Sequence, residues 1–195
     1  MPSIRNRERL LDAAREVILT VGWKRATLTD VARRAEVSRM TVYRAYPDMQ
    51  SVLADLMTRE WVAQIDRVVA ADEGPASGGA DALARRLCAA VAGLRENELF
   101  RRIVDVDPEQ LLPYLIDRRG RSQDVVLDGL AARLAEAQAL GEVRAGDPVL
   151  LARSLVLAAH GFAISVHTMT GPDQGPTVAD LDAELTELVR RYLAP

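Results

Sequence analysis

The chain has 195 residues, of which 49% are hydrophobic, 27% are charged and only 4% are aromatic, with a net charge of -3. That length holds one sizeable core, or a small head joined to a larger body, and the apolar share excludes disorder as a global description. Cys88 is the single cysteine and has no partner for an intrachain disulfide. The start lacks an apolar signal region and the apolar stretch 154–166 is too short to span a bilayer, so a soluble cytoplasmic protein with no membrane partner is expected.

Ala, Leu and Arg, all strong helix formers, are abundant, and strand-like alternation is absent, so the expected class is all-α with about nine helices. The first helix is predicted over 5–21, with Leu10, Leu11, Ala14, Val17, Ile18 and Val21 on one face and Gly22 as a left-handed stop. Thr27 is a suitable N-cap for a second helix, with Asp30 near its positive end and Leu28, Val31, Ala32 and Ala35 buried. After a break at Glu36 and Val37, Ser38 caps a brief third helix that Pro47 ends. Two short helices separated by a turn of three or four residues form a helix-turn-helix pattern over 27–46.

A long fourth helix is predicted over 48–71, followed by a loop at 72–81 rich in Gly, Pro and Ser. Further helices are expected at 82–95, 97–105, 108–118, 121–140, 148–169 and 177–193. Asp107-Pro108 and Asp147-Pro148 each read as an N-cap followed by proline at the first helical position, and the GPDQGP run at 171–176 is a break. Residues 149–166 are apolar on nearly every side, with Arg153 the sole charge, so this helix must be buried all round. The last helix carries Leu181, Leu185, Leu188, Val189 and Tyr192 on one face. These two helices either pack in one core or complete a four-helix bundle with a second copy; the second reading makes Leu155, Phe162, Leu181, Leu185, Leu188 and Tyr192 candidate dimer-interface residues.

Charge is unevenly distributed. Residues 1–46 carry a net charge of +5 and the remainder -8, so one end is suited to a polyanion. A recognition helix exposes polar and basic side chains while its other side anchors in the head. Here Val37, Val42 and Ala45 are the anchors. Arginine forms bidentate bonds to guanine, Thr and Met touch a thymine methyl, and Tyr holds a phosphate. The candidate contacts to double-stranded DNA are therefore Lys24, Thr27, Thr29, Arg39, Met40, Thr41, Tyr43, Arg44 and Tyr46.

Residues 4–60 resemble the N-terminal domain of the TetR family of regulators. The matching features are Ala13-Ala14, Gly22, Thr27 and the run DVARRAEVSRMTVYRAY that begins at Asp30. The resemblance implies a helix-turn-helix DNA-binding domain over 4–64 and a helical ligand-binding and dimerisation body over 65–195. It further implies a homodimer closed by its last two helices, and a small-molecule effector that shifts the fourth helix and releases a palindromic operator. Three residues depart from the family pattern. Glu36 replaces a turn glycine, Met40 replaces a glycine in the recognition helix, and Met49 stands where a lysine often meets a phosphate.

Other chemistry is weakly represented. His160 and His167 lie seven apart without cysteine or carboxylate companions at ligand spacing, so no metal, cofactor or catalytic set is expected. Trp61, Phe100, Tyr114, His160 and Phe162 are large side chains on body helices, each either lining an effector pocket or filling the core. The leading reading is a ligand-responsive transcriptional repressor. The rival is a helical dimeric ligand-binding protein with a degenerate, non-specific DNA-binding head.

Overall fold

A computed structural model describes residues 4–72, 79–171 and 175–195, and among these there are nine α-helices and no strands. They are α1 (Ile4–Val21), α2 (Leu28–Arg34), α3 (Arg39–Ala45), α4 (Met49–Ala71), α5 (Gly79–Glu96), α6 (Glu98–Val106), α7 (Arg121–Ala139), α8 (Pro148–Ser165) and α9 (Val178–Leu193). Short 3-10 turns occupy Trp23–Arg25, Pro108–Gln110 and Val166–Met169. Residues 73–78 of the predicted loop at 72–81 and residues 172–174 of the break at 171–176 lie outside the described residues. Gly79–Asp81, expected in that loop, form the first turn of α5 instead.

Local chemistry accounts for most boundaries. The Thr27 hydroxyl accepts the Asp30 amide at 3.1 Å, Ser38 accepts that of Thr41 at 3.2 Å, and Asp147 accepts that of Val149 at 2.9 Å with Pro148 at the first helical position. Each side chain satisfies an amide that the helix start leaves without a partner. Thr177 and Asp180 form a reciprocal capping box at α9.

Three expectations need correction. Gly22 does have positive φ, at 85°, but its ψ of 159° places it in the extended mirror region and not in the left-handed helical one. Asp107 does not cap the segment after it; its buried carboxylate turns back to accept the backbone N–H groups of Trp23 at 2.8 Å and Lys24 at 3.4 Å. A Cβ at Gly22 would stand 3.2 Å from that carboxylate, so glycine serves both the backbone angle and the close approach. The predicted helix at 108–118 is divided into the 3-10 turn and a π-helical turn at Pro113–Asp117. Pro113 has no N–H to donate into a continuous ladder, which explains the interruption.

The chain divides into two compact units. Unit 1 runs up to Trp61 and also takes Asn97–Asp124; unit 2 comprises Val62–Glu96 and Val125–Pro195. This differs from a head and body divided at residue 64, because α6 and the turns after it join the head. The reason is apolar: Leu99 and Ile103 of α6 are buried with Leu10, Ala14 and Ile18 of α1 in the core that also holds Val31, Val42, Val52 and Leu56. The turn after α6 adds polar staples, since Trp23 donates from its indole N–H to Gln110 at 2.8 Å and Lys24 reaches Glu109 at 3.5 Å.

In unit 2, α5 packs on α8 and α9, burying Cys88, Val91, Leu151, Leu155, Leu185 and Val189. Arg95 ties these helices together by pairing with Asp182 and donating to the Phe162 carbonyl at 3.2 Å. The Cys88 thiol is pushed up from its ordinary range by burial. The apolar helix 148–165 is not buried all round within its own unit. The stretch 154–166, expected to be too short to span a bilayer, belongs to a longer apolar run: Pro148–Met169 is by length and composition sufficient to cross a membrane, and 39% of its most apolar window is buried.

Candidate nucleic-acid interface

The helix-turn-helix is built on three anchors and two caps. Val42 of α3 is fully buried among Val31, Ala32 and Leu28 of α2, while Val37 and Ala45 pack at the edge of the same core. The turn between α2 and α3 closes through Val37 N–H to the Ala32 carbonyl at 3.0 Å. Glu36 supplies the reversal at φ 53°, the only positive φ on a non-glycine among the described residues. The guanidinium of Arg9 reaches from α1 to the Ala35 carbonyl at 2.8 Å and holds the end of α2.

With Val42 turned inward, α3 presents Arg39, Met40, Tyr43 and Arg44 to solvent; Met40 is 66% and Tyr43 51% exposed. Neither Arg39 nor Arg44 has a carboxylate partner among the described residues. Their charge is therefore available to an external anion, unlike that of Arg34 and Arg33, which meet Glu16 and Asp30. The Thr41 hydroxyl lies 2.8 Å from that of Ser38. Lys24 and Thr27 are exposed and Thr29 is half-buried, while the Thr27 hydroxyl is committed to Asp30. That hydrogen bond also holds the Asp30 carboxyl below its usual range.

Tyr46 departs from the expected set. Its side chain is only 4% exposed and belongs to the unit 1 core, because it follows the last turn of α3 where the chain bends inward before Pro47. Met49 is likewise half-buried against that core. An apolar side chain at this position packs where a lysine would project.

The five candidate pocket residues fall into different units. Trp61, Phe100 and Tyr114 belong to unit 1, with Phe100 buried at 6%, and His160 and Phe162 belong to unit 2. Burial lowers the His160 pKa below its ordinary value. Of the candidate dimer residues, Leu155 and Leu185 are buried within the chain at 3% and 1%. Leu188 and Tyr192 face outward, although the Tyr192 ring is covered on one side by Arg144 at 4.4 Å. The exposed apolar surface of α8 and α9 is instead headed by Leu150, Leu157 and Leu188, at 61%, 71% and 57%. Periodicity had identified the apolar helices but not which of their leucines the chain covers itself.

Sequence reasoning also missed Asp55, Asp107, Arg118, Arg119 and Arg121. Asp55 was detectable as an acid on the apolar face of α4, between Val52 and Leu56, where a buried charge demands partners; it is 8% exposed and takes Arg7 and Arg121.

Comparisons with known proteins agree with this geometry. The family model of bacterial regulatory proteins of the tetR family matches residues 10–56. The HTH-type transcriptional regulator Rv2250c of Mycobacterium tuberculosis is 36% identical over 185 residues, covering 95% of this chain and 93% of that protein. Among solved structures, the TetR-family transcriptional repressor QsdR of R. erythropolis superposes with a TM-score of 0.73 at 16% identity, over 98% of this chain and 96% of its own. SmeT in complex with triclosan superposes at 0.61 with 22% identity, over 98% and 92%.

Proposed function

The chain belongs to the TetR family of bacterial regulatory proteins, and on that premise we propose that it is a ligand-responsive repressor which binds a palindromic operator as a homodimer. The observation that carries this reading is the outer face of α3, where Arg39, Met40, Tyr43 and Arg44 stand exposed on a helix fixed by the Ser38 cap and the buried Val42. Fixed backbone and free side chains are what base readout in the major groove requires. Lys24, Thr27 and Thr29 lie on the preceding turn and α2, suited to the phosphate backbone. Tyr46, being buried, contributes by holding the end of α3.

A second copy accounts for α8. An 18-residue helix with Leu150 and Leu157 largely exposed leaves apolar surface that water disfavours, and Leu188 on α9 adds to it. Isologous packing of α8 and α9 on the same helices of another copy covers that surface. An effector fits the same premise: SmeT, which shares this fold, is seen bound to triclosan. Effector identity and target genes are matters for ligand screening.

The test is duplex affinity by fluorescence anisotropy at a stated salt concentration. Tyr43→Ala and Arg44→Ala should each weaken binding roughly tenfold, since one good polar contact contributes about 1–3 kcal/mol, with no change in the helical signal of the body. Unchanged affinity in both variants contradicts the proposed contact surface.

A further inference from the structure

Unit 1 contains a cleft of about 740 Å³ on the side of α4, lined by four arginines, Arg7, Arg118, Arg119 and Arg121, against two acids, Asp48 and Asp55. Both acids are already engaged. Hydrogen bonds from the Ser51 side chain and from its amide, the latter at 2.7 Å, hold the Asp48 carboxyl below the usual range, and Asp55 divides its two oxygens between Arg7 of α1 and Arg121 of α7. Arg118 has no carboxylate partner among the described residues; its guanidinium lies 5.5 Å over the Tyr114 ring, which braces it along the wall. Arg119 meets Asp124 at 3.0 Å with both side chains 52% exposed, a pair that water weakens and an incoming anion displaces readily. The cleft therefore holds more cationic capacity than its own carboxylates satisfy.

A second observation lies at its floor. The Tyr46 hydroxyl is buried there beside Asp55 and Arg7, and makes a well-aligned hydrogen bond to neither. Asp55 has lone pairs to spare for it, but the two arginines pin the carboxylate in place. If a ligand draws Arg7 or Arg121 outward, the carboxylate is free to turn and accept from the phenol. Removing an arginine from Asp55 thus leaves the carboxylate partnered and repairs an orphaned hydroxyl.

We propose that this cleft binds a small polyanion, a phosphate ester or polycarboxylate, and that occupancy hands Asp55 from arginine to Tyr46. Arg118 and Arg119 take ligand oxygens first, with Arg7 or Arg121 joining them. Tyr46 directly follows α3, so occupancy is felt at the end of the recognition helix. That last link rests on the DNA-binding reading; the binding itself does not.

The experiment is isothermal titration of the full chain with pyrophosphate at constant ionic strength. Saturable binding is expected, weakened at least tenfold in Arg118→Ala/Arg119→Ala and unchanged in Arg133→Ala, whose arginine lies on α7 outside the cleft. Tyr46→Phe should weaken binding several-fold at a thermal midpoint no lower than that of the native chain, because the released carboxylate then gains no donor while the free chain loses an unsatisfied hydroxyl. No saturable heat, or undiminished binding in the double variant, overturns the site, whatever the chain does with DNA. Equal affinity in Tyr46→Phe overturns the handover. Loss of duplex affinity in the double variant with pyrophosphate absent, together with a flattened salt dependence, assigns these arginines to DNA phosphates and overturns the small-ligand reading.

Discussion

At Glu36 the backbone turns through φ 53° on a residue that carries a Cβ, between two helices whose relative placement decides what α3 can reach. A left-handed backbone costs an L-residue about 1–2 kcal/mol, partly offset in any comparison with glycine by the greater freedom of glycine in the unfolded chain. The Glu36→Gly variant is therefore expected to gain roughly 0.5–1 kcal/mol in urea unfolding. A loss of stability would mean that the Glu36 side chain contributes contacts exceeding its backbone strain. The strain itself was legible through the family resemblance, because Glu36 stands where the family pattern has a turn glycine. The role of Asp107 was not. Its place before a proline favours a cap, and only the folded chain brings the Trp23 and Lys24 amides to it, 84 and 83 residues away. Tyr46 follows the same logic, since an aromatic just beyond a recognition helix has the composition of a phosphate contact and the position of a core residue.

Helix by helix, the boundaries were readable because caps, prolines and glycines act locally, whereas partner choice depends on packing between distant segments. A helix over 97–105 was expected, yet nothing in the sequence specified its burial against α1. Close approach is equally hidden: a Cβ added at Gly93 of α5 would stand 1.7 Å from the Gln64 side-chain nitrogen, and Gln64 of α4 is only 9% exposed. Gly93→Ala must push the Gln64 amide aside, and its overpacking of about 1–3 kcal/mol is expected to exceed the roughly 1 kcal/mol that alanine gains over glycine inside a helix, giving a net loss. Truncating the opposing side chain in Gln64→Ala/Gly93→Ala should recover part of that loss. Additive losses in thermal or urea unfolding would contradict the close contact. For α8 the apolar pattern was read as burial on every side, and the single chain leaves Leu150 and Leu157 open.

For the whole molecule, the proposed function joins that open surface to the face of α3, since a dimer closed by the one would position two copies of the other on a symmetric site. Leu157→Glu and Leu188→Glu are expected to yield folded monomers in sedimentation, because both side chains are exposed and their replacement leaves the single-chain core intact. Leu185→Glu is a different experiment, since Leu185 is 1% exposed and its loss attacks the fold itself. Dimers that persist in both exposed variants would place the interface elsewhere. The central claim is sequence-specific recognition of DNA by such a dimer. Its most direct test is selection of bound duplexes from a random pool at near-physiological salt, with Arg39→Ala/Tyr43→Ala run in parallel. An enriched palindrome is expected with the native chain and is lost in the double variant. No enrichment from a folded, ligand-free dimer, or the same palindrome from both proteins, would contradict the claim.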